Sequence, residues 1–149
     1  MSGAIGERAA VLARGWIGTP YRHQASLCGA GADCLGLLRG VWRAIYGAEP
    51  EVVPAYTADW AEPAGDEVLF AAAERLLRRK RLAAAAVGDV LLFRMRAGGI
   101  AKHLGIAGRV GAQPTFIHAY SGHSVVESPL SEPWKRRVAA RFEFPEGDL

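Results

Sequence analysis

Cys34 follows Asp33 and the small-residue run Gly29-Ala30-Gly31-Ala32, at the point where an apolar helical pattern begins. A thiol at a helix N-terminus feels the positive end of the helix dipole and free backbone N–H groups, and both favour the nucleophilic thiolate. The same N–H groups are placed to face an oxyanion. A cysteine nucleophile also needs a base, and four histidines are present: His23, His103, His118 and His123. His103 heads the run Leu104-Gly105-Ile106-Ala107, after the flexible Ala97-Gly98-Gly99 turn. His118 lies in Phe116-Ile117-His118-Ala119, where strand alternation sets it opposite Ile117 and Ala119. If these strands are sheet neighbours, the imidazoles come within hydrogen-bond range, one as base and the other orienting it.

Each of these residues also has a plainer account. Cysteine is commonly a small buried apolar residue, and a lone histidine on a strand is commonly structural. A zinc set of Cys28, Cys34, His103 and His118 has suitable residue types, but its spacing matches no compact metal motif. No metal or cofactor is expected. Cys28 reads as a loop thiol, and His23 and His123 as surface or turn residues, with His23 able to border a cleft.

The elements that must carry these groups follow from periodicity. Ile5, Ala9, Leu12 and Trp16 predict an amphipathic helix over residues 5–17, ended by Gly18-Thr19-Pro20. Residues 23–33 are polar and glycine-rich, hence a loop. From Cys34 a second helix carries Leu35, Leu38, Trp42 and Ile45 on one face and Leu37, Val41 and Ala44 on its flank. Such a helix is buried almost all round, and Gly47 is its expected stop. Residues 48–65, with Tyr56 and Trp60, read as a proline-punctuated surface excursion. A third helix is expected over residues 66–80, with Asp66 near its start and the basic run Arg75, Arg78, Arg79, Lys80 and Arg81 near its end, an order that complements the dipole. Beyond Asp89 come short β-prone runs: Val90–Phe93, Leu104–Ala107, Thr115–Ala119, Ser124–Glu127 and Val138–Phe144. Helices first and strands after predict a segregated α+β domain.

The 149 residues suit a single domain over 1–149, and half are hydrophobic, which excludes disorder for most of the chain. A net charge of +3 is too mild to indicate nucleic-acid binding. No run approaches the ~18 apolar residues of a membrane span. Glu7, Arg8 and Arg14 stand where a signal peptide needs its apolar stretch, so synthesis in the cytoplasm without a signal peptide is expected. Two cysteines are too few for a disulfide scaffold.

Five motifs in order now point to a family: Gly18-Thr19-Pro20-Tyr21, Asp33-Cys34-Leu35-Gly36-Leu37, Gly88-Asp89-Val90-Leu91-Leu92-Phe93, His103-Leu104-Gly105-Ile106 and Phe116-Ile117-His118-Ala119. Together they resemble the NlpC/p60-type cell-wall cysteine peptidases from about Trp16 to Phe144. The Pro50–Trp60 excursion and Val126-Glu127-Ser128-Pro129-Leu130 look like the small members carried by phage tails and gene transfer agents.

The resemblance implies a papain-like fold, N-terminal helices packed on a C-terminal antiparallel sheet. It implies Cys34 as nucleophile, His103 as general base and His118 as the third, orienting residue. Tyr21 and Asp33 would line the substrate cleft, with Tyr21 supporting the oxyanion. The implied substrate is the peptidoglycan stem peptide, cut between D-glutamate and a diamino acid, and the implied partners are tail proteins that bring the enzyme to the cell wall. Two departures touch the entrance side of the site. His23-Gln24-Ala25-Ser26 replaces the usual Gly-Gly after the tyrosine, and Leu35 replaces the usual serine after the cysteine. Competing readings are a structural tail subunit whose site is unused, and an amidase or acyltransferase on a related scaffold. Arg75–Arg81 and Lys135-Arg136-Arg137 read as solvated stretches, or else as contacts to an anionic wall polymer or a neighbouring subunit.

Overall fold

A computed structural model describes residues 3–51, 53, 56 and 67–146. Helix α1 spans Gly3–Arg14 and buries Gly6, Ala9, Ala10 and Ala13, a helical stripe of small residues. Small side chains let it lie close to its neighbours. A Cβ on Gly6 would collide with the Val87 carbonyl, and Gly88, at φ 86°, returns the contact from the other side. The helix starts two residues before the predicted span of 5–17 and ends three residues before its end. Trp16 lies past its end in a turn and packs its indole over Gly40, where any side chain would clash.

The predicted loop at 23–33 contains a two-stranded hairpin, β1 (Ser26–Leu27) and β2 (Gly31–Ala32), which delivers the chain to helix α2 (Cys34–Tyr46). Gly47 ends α2 at φ 90°, its N–H returning to the Arg43 carbonyl at 2.8 Å. Helix α3 covers only Val68–Leu76. The basic residues Arg78–Lys80, expected at a helix end, form strand β3 instead, paired antiparallel with Arg141, Phe142 and Glu143 of β8. The free edge of β8 wins those backbone groups, and Arg78 and Lys80 face Glu143 at 3.6 and 3.5 Å. Asp66, Pro54 and Trp60 lie outside the described residues.

The remaining strands are β4 (Val90–Arg94), β5 (Ala101–Ala107), β6 (Thr115–His118), β7 (Val126–Pro129) and β8 (Val138–Glu143), with the four-residue helix α4 (Glu132–Lys135) before β8. They form one antiparallel sheet in the order β3-β8-β4-β5-β6-β7. The strand predicted at Ser124–Glu127 starts two residues later, because pairing with β6 sets its register. Alternation divides the side chains between two apolar layers. Val90, Leu92, Leu104, Ile106 and Ile117 meet Leu37 and Val41 of α2 on the helix side. Leu91, Phe93, Phe116 and Leu130 form a second layer with Trp134 and Val138. The segregated α+β expectation holds.

Behind the motif Gly88-Asp89, the buried Asp89 carboxylate accepts hydrogen bonds from Arg141 at 2.7 Å, Lys80 at 3.0 Å and the Ala86 N–H at 2.8 Å. A charge this buried is tolerable only with such partners, and it joins β3, β8 and the entry to β4.

Candidate active site

Cys34 is the first residue of α2, as the sequence predicts. Asp33 caps the helix from an extended conformation, its Oδ1 accepting the Gly36 N–H at 2.7 Å. The other carboxylate oxygen accepts the Gln24 N–H at 2.6 Å and the Tyr56 hydroxyl at 2.5 Å. Asp33 is therefore a buried structural anchor of the Cys34 turn as well as a residue of the cleft wall. Gly36 is fixed by crowding, since a Cβ there would strike the Ala25 carbonyl.

The two histidines come together as the strand alternation suggested. Ile106 pairs with Ile117 across β5 and β6, which sets His103 and His118 diagonally on the face opposite Ile117. His103 Nε2 lies 2.9 Å from His118 Nδ1, and His118 Nε2 lies 3.0 Å from Ser128 Oγ. Trp134 of α4 covers both rings, with centroids 5.8 Å from His103 and 5.3 Å from His118. Phe93 and Phe116 complete the aromatic surround.

Cys34, His103, Tyr21 and Asp33 line one cleft of about 480 Å³, together with His23 and Tyr56. The Leu104 N–H, one residue after His103, reaches the Cys34 sulfur and favours its charged form, as do the N–H groups of Leu35 and Cys34 itself. These donors do not prevail. Burial, then the neighbouring Asp33 charge, pushes the thiol up to about 12. The helix N-terminus favours the thiolate, as the sequence suggests, but desolvation outweighs the local N–H groups. Burial likewise brings His103 down to about 3, with His118 adding to the effect, and His118 down to about 4, with His123 adding. Burial thus favours the neutral thiol of Cys34 and the neutral imidazole of His103. Burial also raises the Tyr21 hydroxyl, so it is a proton donor at neutral pH.

The first of the departures noted at the entrance, His23-Gln24 in place of Gly-Gly, has a structural use. Gln24 adopts a left-handed conformation at φ 65°, which glycine takes freely and glutamine does not. Its backbone N–H is the one Asp33 accepts, and its side-chain Nε2 donates to the Tyr56 carbonyl at 2.8 Å. His23 Nε2 lies 2.8 Å from the same carbonyl, and its ring meets Tyr56 edge-on at 5.1 Å. His23 therefore borders the cleft and is more than a turn residue. His123 is exposed and stacks on Tyr120, and Cys28 is an exposed loop thiol, 3.4 Å from the Gly15 carbonyl. Sequence reasoning missed Ser128, Trp134 and Tyr120 as neighbours of the histidines. Only the Val126–Leu130 stretch had been noticed, without a role for its serine.

Among the described residues no three His, Cys, Asp or Glu side chains are grouped to hold a metal ion, and no helix is long and apolar enough to cross a membrane. No protein-family model matches the sequence, and no curated protein matches it. Solved structures do match. An NLP/P60-family protein similar to lipoprotein, from Staphylococcus aureus, covers 97% of this chain at TM-score 0.62 and 17% identity. The NlpC/p60 domain of the peptidoglycan hydrolase SagA covers 95% at TM-score 0.60 and 23% identity, and 98% of that domain is matched. NlpC1 from Trichomonas vaginalis covers 93% at TM-score 0.56 and 22% identity. The chain spans 42% and 43% of the Staphylococcus and Trichomonas proteins. The helices packed on an antiparallel sheet match a papain-like α+β fold. Within that class its fold is the NlpC/p60 fold.

Proposed function

We propose that this chain is a cysteine peptidase that cleaves peptidoglycan stem peptides, with Cys34 as nucleophile, His103 as base and His118 as the residue that orients His103. The observation that carries the reading is the shared cleft of Cys34 and His103, backed by the 2.9 Å contact between His103 and His118. The likeness of the fold to the NlpC/p60 domain of a peptidoglycan hydrolase supports the substrate class.

Because burial favours the neutral pair, proton transfer from Cys34 to His103 has to accompany attack. The sulfur forms a bond to the amide carbonyl carbon as His103 takes the thiol proton. The oxyanion develops beside the N–H groups of the first turn of α2, with the Tyr21 hydroxyl as a second donor, in surroundings dry enough for such donors to count strongly. His103 then gives its proton to the departing amine as the C–N bond breaks. Water, deprotonated by His103, releases the acyl group and restores the thiol. Cleavage between D-glutamate and the diamino acid is the bond we assign.

The test is digestion of purified peptidoglycan by the wild-type chain and by C34A, with mass spectrometry of the released fragments. Stem-peptide fragments from wild type alone are expected. Identical products from both proteins overturn the reading, and release of whole stem peptides from the sugar would make the chain an amidase.

The finer assignment is a tail-associated component of a phage or gene transfer agent, made in the cytoplasm and carried to the cell wall in the particle. Its support is the subgroup-like stretch Val126-Glu127-Ser128-Pro129-Leu130 and the Pro50–Trp60 excursion, most of which lies outside the described residues. Mass spectrometry of purified particles tests it, and presence of the protein only outside particles defeats it.

A further inference from the structure

Ser128 sits on β7, opposite Phe116 in the ladder, and so shares a face with His118 two residues on. Its Oγ meets His118 Nε2 at 3.0 Å, on the far side of the ring from His103. The strand that carries it is clamped from its other face. Glu127, which points the opposite way, accepts two hydrogen bonds from Arg14 of α1 at 2.9 and 3.1 Å and one from the Thr115 hydroxyl at 2.6 Å. Ser128 is therefore held at a fixed place at the end of a chain that runs Ser128, His118, His103.

We infer that Ser128 is a positioning residue for the reaction, accepting the His118 Nε2–H so that His118 Nδ1 stays free to accept from His103. This rests on the peptidase reading of Cys34 and His103. A chain of two imidazoles and a hydroxyl can run in either direction while all three are neutral. Run one way, His103 carries its proton on Nδ1 and cannot take one from the thiol there. Run the other way, His103 Nε2 donates to His118 Nδ1, His118 Nε2 donates to Ser128 Oγ, and His103 Nδ1 is an open base. Once His103 has taken the thiol proton, both its nitrogens are donors. His118 Nδ1 must then accept, His118 Nε2 must carry the hydrogen, and Ser128 must accept it. The positive charge that develops on His103 thus forces the direction, and the hydroxyl is used most in the transition state. Interactions that strengthen there raise kcat without tightening substrate binding.

Two readouts test this in the full chain. In a C34A background, ring nitrogen-15 chemical shifts report the His118 tautomer in the presence of Ser128 and in S128A, S128T and S128V. The expected result is the Nε2–H tautomer with Ser and Thr, and a mixture with Ala and Val. With Cys34 present, hydrolysis of a soluble stem-peptide fragment should show kcat about tenfold lower in S128A and S128V, the order expected when a buried donor loses its acceptor. KM should stay near the wild-type value, and S128T should recover most of the loss. Thr and Val are nearly equal in volume, so a difference between them cannot come from packing. An Nδ1–H His118 in the wild-type ring, or S128V equal to S128T in kcat, overturns the inference. If the wild-type chain hydrolyses nothing, the peptidase reading fails on its own, and the tautomer measurement still decides what Ser128 does.

Discussion

Tyr56 donates its hydroxyl hydrogen to Asp33 Oδ2 at 2.5 Å, which ties the proline-punctuated excursion to the cap of the helix that Cys34 begins. Burial, and then this bond to Asp33, drives the phenol well above its usual pKa, so it remains a donor. Hydrogen bonds to a charged acceptor are worth about 1.5–3 kcal/mol. Y56F should lower stability to urea by an amount in that range and leave the His103–His118 contact untouched. A variant as stable as wild type would show the bond to be dispensable.

Reactivity of the two thiols should follow burial. Cys28 is exposed, whereas Cys34 is buried and pushed up to about 12. At neutral pH iodoacetamide should therefore modify Cys28 first in the folded protein, the reverse of what a helix N-terminus alone suggests. A mass-spectrometric time course checks this, with the urea-unfolded chain as reference. Faster labelling of Cys34 in the folded state would mean that a thiolate is present at rest.

Acid should cost stability through the histidine pair. His103 and His118 fall from 6.5 to about 3 and about 4 in the folded state, so the unfolded chain binds protons that the folded one refuses. Their contribution is complete above pH 6.5 and is lost as pH falls toward 4 and then 3. Cys34 acts in the other direction. Its raised value gives a contribution that is complete below pH 9.0 and lost as pH climbs toward 12. Melting temperature against pH, for wild type and for H118N, should show a shallower acid limb in the variant. Parallel limbs would place the acid sensitivity in the carboxylates instead.

Gly105 sets the spacing between the two histidine strands. A Cβ at this position would come 2.8 Å from the Phe116 ring, 3.0 Å from the Ile117 carbonyl and 3.2 Å from His118 Cβ. G105A should cost about 1–3 kcal/mol, the usual range for an overpacked interior, and should lower hydrolysis by moving His118 away from His103. Denaturation and kinetics on the same preparation measure both. Full activity in a folded variant would mean that β6 can shift without loss.

The parts legible in the sequence are those with local causes. A helix that opens at Cys34, the stop at Gly47, and the opposite orientations of Ile117 and His118 all follow from spacing alone. Arg78–Lys80 misled because helix and edge strand were both open to it, and β8, more than fifty residues later, decided. Ser128 and Trp134 meet the histidines through register and through the turn into α4, neither of which leaves a pattern in the chain. The burial of Cys34 was hidden for a related reason: it depends on what lies over the sulfur, and the residues before and after it carry no record of that.

Trp134 gives the histidine pair an optical reporter. Its indole lies tilted at 38° to the His103 ring and edge-on to His118, and a protonated imidazole quenches indole emission by accepting an electron from the excited state, which a neutral one does poorly. The cover that keeps the two rings dry therefore also makes their charge visible as light. Emission from this tryptophan should be bright while the pair is neutral and dim in the moments when His103 holds the thiol's proton. With the other three tryptophans replaced by phenylalanine, the emission of Trp134 should follow the proposed acid–base step without an added label.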